Sequence, residues 1–206
     1  MILSTNTQIH EHWSIPVVGI LKHRNMLDNY GFTFVRTGTT FKLSEHSSLT
    51  GGIAFLNCNI YSGQEEASNN SQLWYYGEYS LKLGFGKAVV AQRFRLENRR
   101  TTNTEHRALN NRARYRLQYT RQLSKKFYFK SFNEVFLQLE NSSFDQNRFY
   151  IGVGQSLSPS TKIDIGYFNQ QHQNTNESMV RMGISINIDF TNKDLALKSG
   201  QNQLNP

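Results

Sequence analysis

Residues 92–121 read QRFRLENRRTTNTEHRALNNRARYRLQYTR, and within them arginine recurs at every second position in two separate runs. In the first, Arg93, Arg95, Glu97 and Arg99 share one parity while Phe94 and Leu96 take the other. In the second, Arg112, Arg114 and Arg116 alternate with Ala113, Tyr115 and Leu117. A period of two belongs to a strand, because successive side chains leave a pleated chain on opposite faces. On a helix, residues two apart point to nearly opposite sides, so neither run would build a charged face or an apolar one. The stretch predicts two antiparallel strands joined near TTNTEH.

The same alternation fits two opposite folds. In a soluble sandwich or barrel, Phe94, Leu96, Tyr115, Leu117 and Tyr119 would be buried and the arginines would meet water. In a membrane barrel the apolar residues face lipid and the arginines line the lumen. Composition leans to the second: of 206 residues 37% are hydrophobic, against roughly 45–50% in ordinary soluble domains. No run approaches the ~18 apolar residues of a spanning helix. Met1–His10 has neither the basic nor the apolar segment of a signal peptide, so the signal of an exported form would lie outside this sequence. Cys58 is the sole cysteine, which excludes an intrachain disulfide and a cysteine-based zinc site. The formal charge of +8 is the electrostatic footprint of phosphate binding. Sheet-type binders of single strands, however, set stacking aromatics on the basic face, and here the neighbouring aromatics take the opposite parity. No nucleic-acid partner is expected.

The pattern extends along the chain. A first strand begins after Ile9, with Trp13, Ile15, Val17, Gly19 and Leu21 on one parity and Pro16 awkward in its middle. A second covers about Tyr30 to Leu43, its parity changes matching a bulge. A third runs from Leu49 to Tyr61, and SGQEEASNNSQ (62–72) reads as a long loop. In LWYYGEYSLKLGF (73–85), Tyr76, Glu78, Ser80 and Lys82 oppose an apolar face, and Gly86-Lys87 turns the chain into the first arginine strand. Strands follow in 127–140, 149–157 and 162–170, and Val180 to Phe190 alternates almost without fault. About ten strands result, many near the ~9–11 residues that cross a bilayer. Longer connections (RNMLDN, SGQEEASNNSQ, TTNTEH, NSSFDQN, QHQNTNES) alternate with shorter ones (SEHS, GK, LSKK, SPST), as in bacterial barrels with an even strand number and short periplasmic turns. An even number would leave both termini on the short-turn side.

The last strand carries Arg181, Gly183, Ile186, Ile188 and a final Phe190. This resembles the C-terminal insertion signal read by the barrel-assembly machinery, except that TNKDLALKSGQNQLNP follows the aromatic residue. QRFRLENR, RARYRLQY, FKSFNEVF and QNRFYIGVGQSLSPSTKIDIGYF together resemble a family of bacterial outer-membrane barrels classed as a domain of unknown function. The likeness covers about Gln92 to Phe168, and more loosely the earlier strands. It implies a fold, a compartment and lumen-facing charge clusters, and it implies no reaction.

The expected fold is all-β: an antiparallel up-and-down transmembrane β-barrel over residues 1–190, with a polar periplasmic tail over 191–206. Its lumen charges are Glu78, Glu97, Glu134, Arg93, Arg95, Arg99, Arg112, Arg114, Arg116 and Arg148. They suit an anion-selective constriction or, preferred here, a plug of ion pairs filling a narrow barrel, because buried charges need partners whatever else they do. His10 and His12 share a strand face in this scheme but lack a third metal ligand. No GxSxG or HExxH motif appears, Ser156 with His172 is only a notional pair, and GVGQSL lacks the third glycine of a dinucleotide fingerprint. No catalytic residue, metal or cofactor is expected. The function expected is structural or that of a narrow porin-like channel, with a membrane-embedded lipid-modifying enzyme or a soluble barrel binding an anionic ligand as alternatives. Expected partners are outer-membrane lipid, the assembly machinery, and a periplasmic or membrane protein engaging the C-terminal tail.

Overall fold

The computed structural model describes residues 1–24, 29–62, 65–102 and 109–191. Eleven strands close into a barrel: β1 (Ile2–Gln8), β2 (Trp13–Arg24), β3 (Asn29–Lys42), β4 (Ser47–Ser62), β5 (Glu65–Phe85), β6 (Ala88–Thr101), β7 (Leu109–Gln122), β8 (Phe127–Gln138), β9 (Ser143–Ser156), β10 (Thr161–His172) and β11 (Asn176–Asp189). Each strand pairs antiparallel with its sequence neighbour. The ring is completed by β1 running parallel to β11, Ile2 opposite Gly183 and Gln8 opposite Asp189.

The additional strand is β1, in the stretch before the first strand expected from the sequence. Its outward positions include Thr5 and Thr7 and its inward ones Ser4, Asn6 and Gln8, so it lacks the apolar contrast of the other strands. The closing pair is parallel where an all-antiparallel ring was expected, because the strand number is odd. The start of the chain and the end of the last strand consequently do not share a rim: Met1 donates its amino group to the Leu21 carbonyl at 2.8 Å part-way along the wall, whereas Phe190 lies at the turn rim, its N–H on the Gln8 carbonyl at 3.1 Å.

The polar stretch 62–72 is strand rather than loop from Glu65 onward. Asparagine ladders explain how a polar sequence pairs there: Asn57 Nδ2 donates to Asn69 Oδ1 at 2.9 Å, and Asn69 Nδ2 to Asn59 Oδ1 at 2.6 Å. NSSFDQN and QHQNTNES likewise shrink, as β9 starts at Ser143 and only 173–175 separate β10 from β11. RNMLDN and TTNTEH fall largely outside the described residues, as does the tail beyond Thr191. Pro16 sits inside β2 where pairing to β3 skips from Ser14–Thr40 to Val17–Thr37, so its missing N–H breaks no ladder bond there.

The outside of the wall is apolar. Leu96 is 61% exposed, Val180 73%, and Val35, Ile53, Phe55, Phe94, Leu117, Val153, Ile165 and Met182 also stand free. Where the short turns lie, exposed aromatics collect: Trp13 packs on Phe41 at 4.7 Å between centroids, and Phe85, Phe127 and Phe190 mark the same rim. Inside, tyrosines are seated on glycines. A Cβ at Gly154 would collide with the Tyr128 ring, and one at Gly38 or Gly52 would meet the Tyr76 hydroxyl, which donates to the Thr37 carbonyl at 3.2 Å.

Candidate functional site in the barrel lumen

Alternation on β6 and β7 turns Arg93, Arg95, Glu97, Arg99, Arg112, Arg114 and Arg116 inward while Phe94, Leu96 and Leu117 face out. The register then sets Arg95 beside Arg114 and Arg93 beside Arg116, like charges that need carboxylates between them. Glu97 and Glu134 supply these. Glu97 accepts from Arg112 at 2.6 Å and from Arg114. Glu134, opposite Arg116 on β8 and wholly buried, accepts from Arg93 at 2.6 Å and from Arg114 and Arg116 at 2.9 Å each. Glu78 holds Arg95, with Arg36 and Arg93 at 3.7 Å each. All ten side chains assigned to the lumen from sequence thus lie inside the wall; Arg99 donates to Asn110 and Gln138, and eight of the others share this network. Arg148 stands apart from it.

Several partners escaped sequence reading. Asp145 has the parity of outward residues, but the register slips between Phe136 and Leu137, so β9 carries one extra residue there. The bulge brings Asp145 Oδ2 to Arg112 at 3.0 Å. Asp164 of β10 accepts from Lys130 at 3.1 Å and from the Tyr150 hydroxyl at 2.7 Å. Aromatics from other strands stack on the arginines: Arg114 lies 4.3 Å from the Phe136 centroid and Arg116 4.1 Å from Phe132, both on the neighbouring β8, and Arg112 lies 5.2 Å from Trp74 on β5. The parity of β6 and β7 alone gave no sign of them, although FNEVF does alternate Phe132, Glu134 and Phe136 onto one face.

Cavities lined by the described residues lie along the lumen. A cavity of about 620 Å³ runs from Gln146 and His172 down to Ser4 and Ser185. Another of about 370 Å³ lies at the turn rim among His12, Lys42, Glu45, His46 and Lys82. Arg36 borders both, so the lumen is pinched where Arg36, Tyr76, Glu78 and Arg95 meet.

A family model described as protein of unknown function (DUF2490) matches residues 1–181. The chain belongs to that family. No curated protein matches the sequence. Among solved structures, the NanC porin is similar at 12% identity and a TM-score of 0.49, over 88% of this chain and 96% of that one. The siderophore receptor PirA from Pseudomonas aeruginosa is similar at 10% identity and a TM-score of 0.31, over 86% of this chain and 34% of that one.

The remaining sequence candidates separate in space. His10 and His12 lie in the turn between β1 and β2 rather than on a strand, with ring centroids 6.5 Å apart. Ser156 is opposite Lys162 at one end of β10 while His172 ends the other, so the two do not meet. On β11, Arg181 and Gly183 border the lumen, whereas Ile188 and, just past the strand, Phe190 are exposed outside.

Proposed function

We propose that the protein is a bacterial outer-membrane barrel serving as a narrow, anion-preferring conduit. The observation that carries this is the sorting of side chains: charges are sequestered inside the wall and apolar residues cover its outside. Water would favour the reverse, and lipid favours this order, since an outward arginine near the bilayer midplane costs roughly 2–4 kcal/mol. The aromatic rim by the short turns matches an interfacial girdle, and we read those turns as periplasmic because the short turns of bacterial barrels lie on that side. On this reading β11 and the residue after it, with Arg181, Gly183, Ile186, Ile188 and Phe190, engage the assembly machinery, and the tail beyond Thr191 engages a periplasmic or membrane protein.

Anion preference follows from the excess of cations. Nine lumen arginines and Lys130 face Glu78, Glu97, Glu134, Asp145 and Asp164. The pinch at Arg36 and Glu78 keeps the conductance small. Planar-bilayer recording in a salt gradient tests this: the reversal potential should lie toward that of chloride and move toward zero in Arg36→Gln. Cation selectivity, or recovery of the protein as a detergent-free soluble monomer, would reject the reading.

A further inference from the structure

The larger cavity has two unlike walls. On one side Ile20, Phe34, Leu56 and Trp74 border it, part of a buried apolar cluster built on Phe34, Ala54 and Trp74. β9 lies opposite β3 and β4 in the ring, and there, with β11 nearby, stand Arg148 and Arg181. Arg148 Nε and Arg181 Nε and Nη1 are buried without a hydrogen-bond partner. Among the described residues neither guanidinium has a carboxylate within ion-pair distance. Each rests instead on a ring, Arg148 over Phe136 and Arg181 over Tyr150, both at 4.6 Å.

Buried donors of a charged group are costly to leave unmet; Arg36, Arg99 and Arg116 also leave Nε unmet, but each reaches an acceptor or ion-pair partner through another nitrogen. Arg148 and Arg181 are held by aromatic faces that orient them while leaving donor edges unused. A small hydrophilic anion would satisfy them but leave the apolar wall in contact with water. A neutral chain would cover that wall and leave the arginines unmet. We propose that the cavity binds a single-chain amphiphilic anion, its carboxylate or phosphate headgroup on Arg148 and Arg181 and its acyl chain along Ile20, Phe34 and Leu56. The volume of about 620 Å³ falls within the ~300–1,000 Å³ of small-molecule sites. This inference rests on the conduit reading of the same lumen and names what that lumen takes up.

The sequence contains two tryptophans, of which Trp13 is outside and Trp74 borders the cavity, so Trp13→Phe leaves Trp74 as the sole reporter. In lipid nanodiscs, a brominated decanoate should quench Trp74 saturably. Unlabelled decanoate or decyl phosphate should relieve the quenching, and the stronger competitor identifies the headgroup. Acetate and decanol should not relieve it. Arg148→Gln and Arg181→Gln should each weaken binding by about tenfold, the equivalent of one charged hydrogen bond. If either variant fails to assemble, a hexanoate-to-decanoate series on the Trp13→Phe protein decides: affinity should rise with chain length, and a flat series overturns the proposal. Equal competition by acetate or by decanol also overturns it. An anion-selective current without Trp74 quenching would remove the amphiphile and leave the conduit, whereas quenching without anion selectivity would do the opposite.

Discussion

Arg114 of β7 and Glu134 of β8 meet at 2.9 Å in the lumen, and the carboxylate has no solvent exposure at all. Glu134 also serves Arg93 and Arg116, so its charge is shared among three guanidinium groups. Replacing it with Gln leaves those cations facing one another. Breaking a buried pair costs roughly 3–5 kcal/mol, and the folded gel band of Glu134→Gln should convert to the unfolded one at a clearly lower temperature. An unchanged transition would contradict the network.

Loss of one arginine should be milder. Glu97 keeps Arg95 and Arg112, and Glu134 keeps Arg93 and Arg116, when Arg114 is removed. Arg114→Gln and Arg95→Gln are therefore expected to assemble, with a smaller loss of thermal stability than Glu134→Gln. The two series compared by heat-modifiable migration should rank in that order.

Outward charge should block insertion. Leu96→Arg and Leu117→Arg place a cation on the apolar outer face, at a cost of roughly 2–4 kcal/mol each near the midplane. Membrane fractionation should show both depleted from the outer membrane, with Arg95→Gln retained. In a Cys58→Ser background, cysteines at 95 and 114 should react with water-soluble reagents or be shielded by protein. Those at 96 and 117 should be shielded by lipid. Reversal of that pattern would mean a soluble sheet with an exposed arginine face.

Gly154 tests how the wall seats its aromatics. An alanine there would drive a Cβ into the Tyr128 ring, and overpacking of this kind costs roughly 1–3 kcal/mol. Gly154→Ala should lower the unfolding temperature, and Tyr128→Ala in the same chain should recover part of the loss. Additive damage in the double variant would argue that the two do not touch.

What the sequence reveals depends on how local the physics is. The inward set on β6 and β7 is legible because alternation within a strand decides it, and Arg93 to Arg116 announce that period themselves. Asp145 is not legible, since a bulge reverses its face, and bulges leave little trace in composition. Trp74 and Phe136 meet Arg112 from β5 and β8, contacts set by the register between strands and by side chains crossing the lumen rather than by any spacing within β7. β1 escapes for a different reason: Thr5 and Thr7 give its outer face too little apolar contrast. The polar start of β5 was hidden because paired asparagines make a strand look like a loop.

The parallel contact between Ile2–Gln8 and Gly183–Asp189 governs how the molecule comes into being. Every other pairing joins neighbours in sequence and can zip up hairpin by hairpin at a small loop-closure cost. This one spans nearly the whole chain. On the outer-membrane reading, a chain in which this pair has yet to form is a curled sheet with two raw margins, whose bare amide and carbonyl groups lipid cannot satisfy. Latching β1 onto β11 would then be the committing event of biogenesis. Damage to either strand would strand the chain as an unclosed intermediate exposed to proteolysis, rather than loosen a finished cylinder.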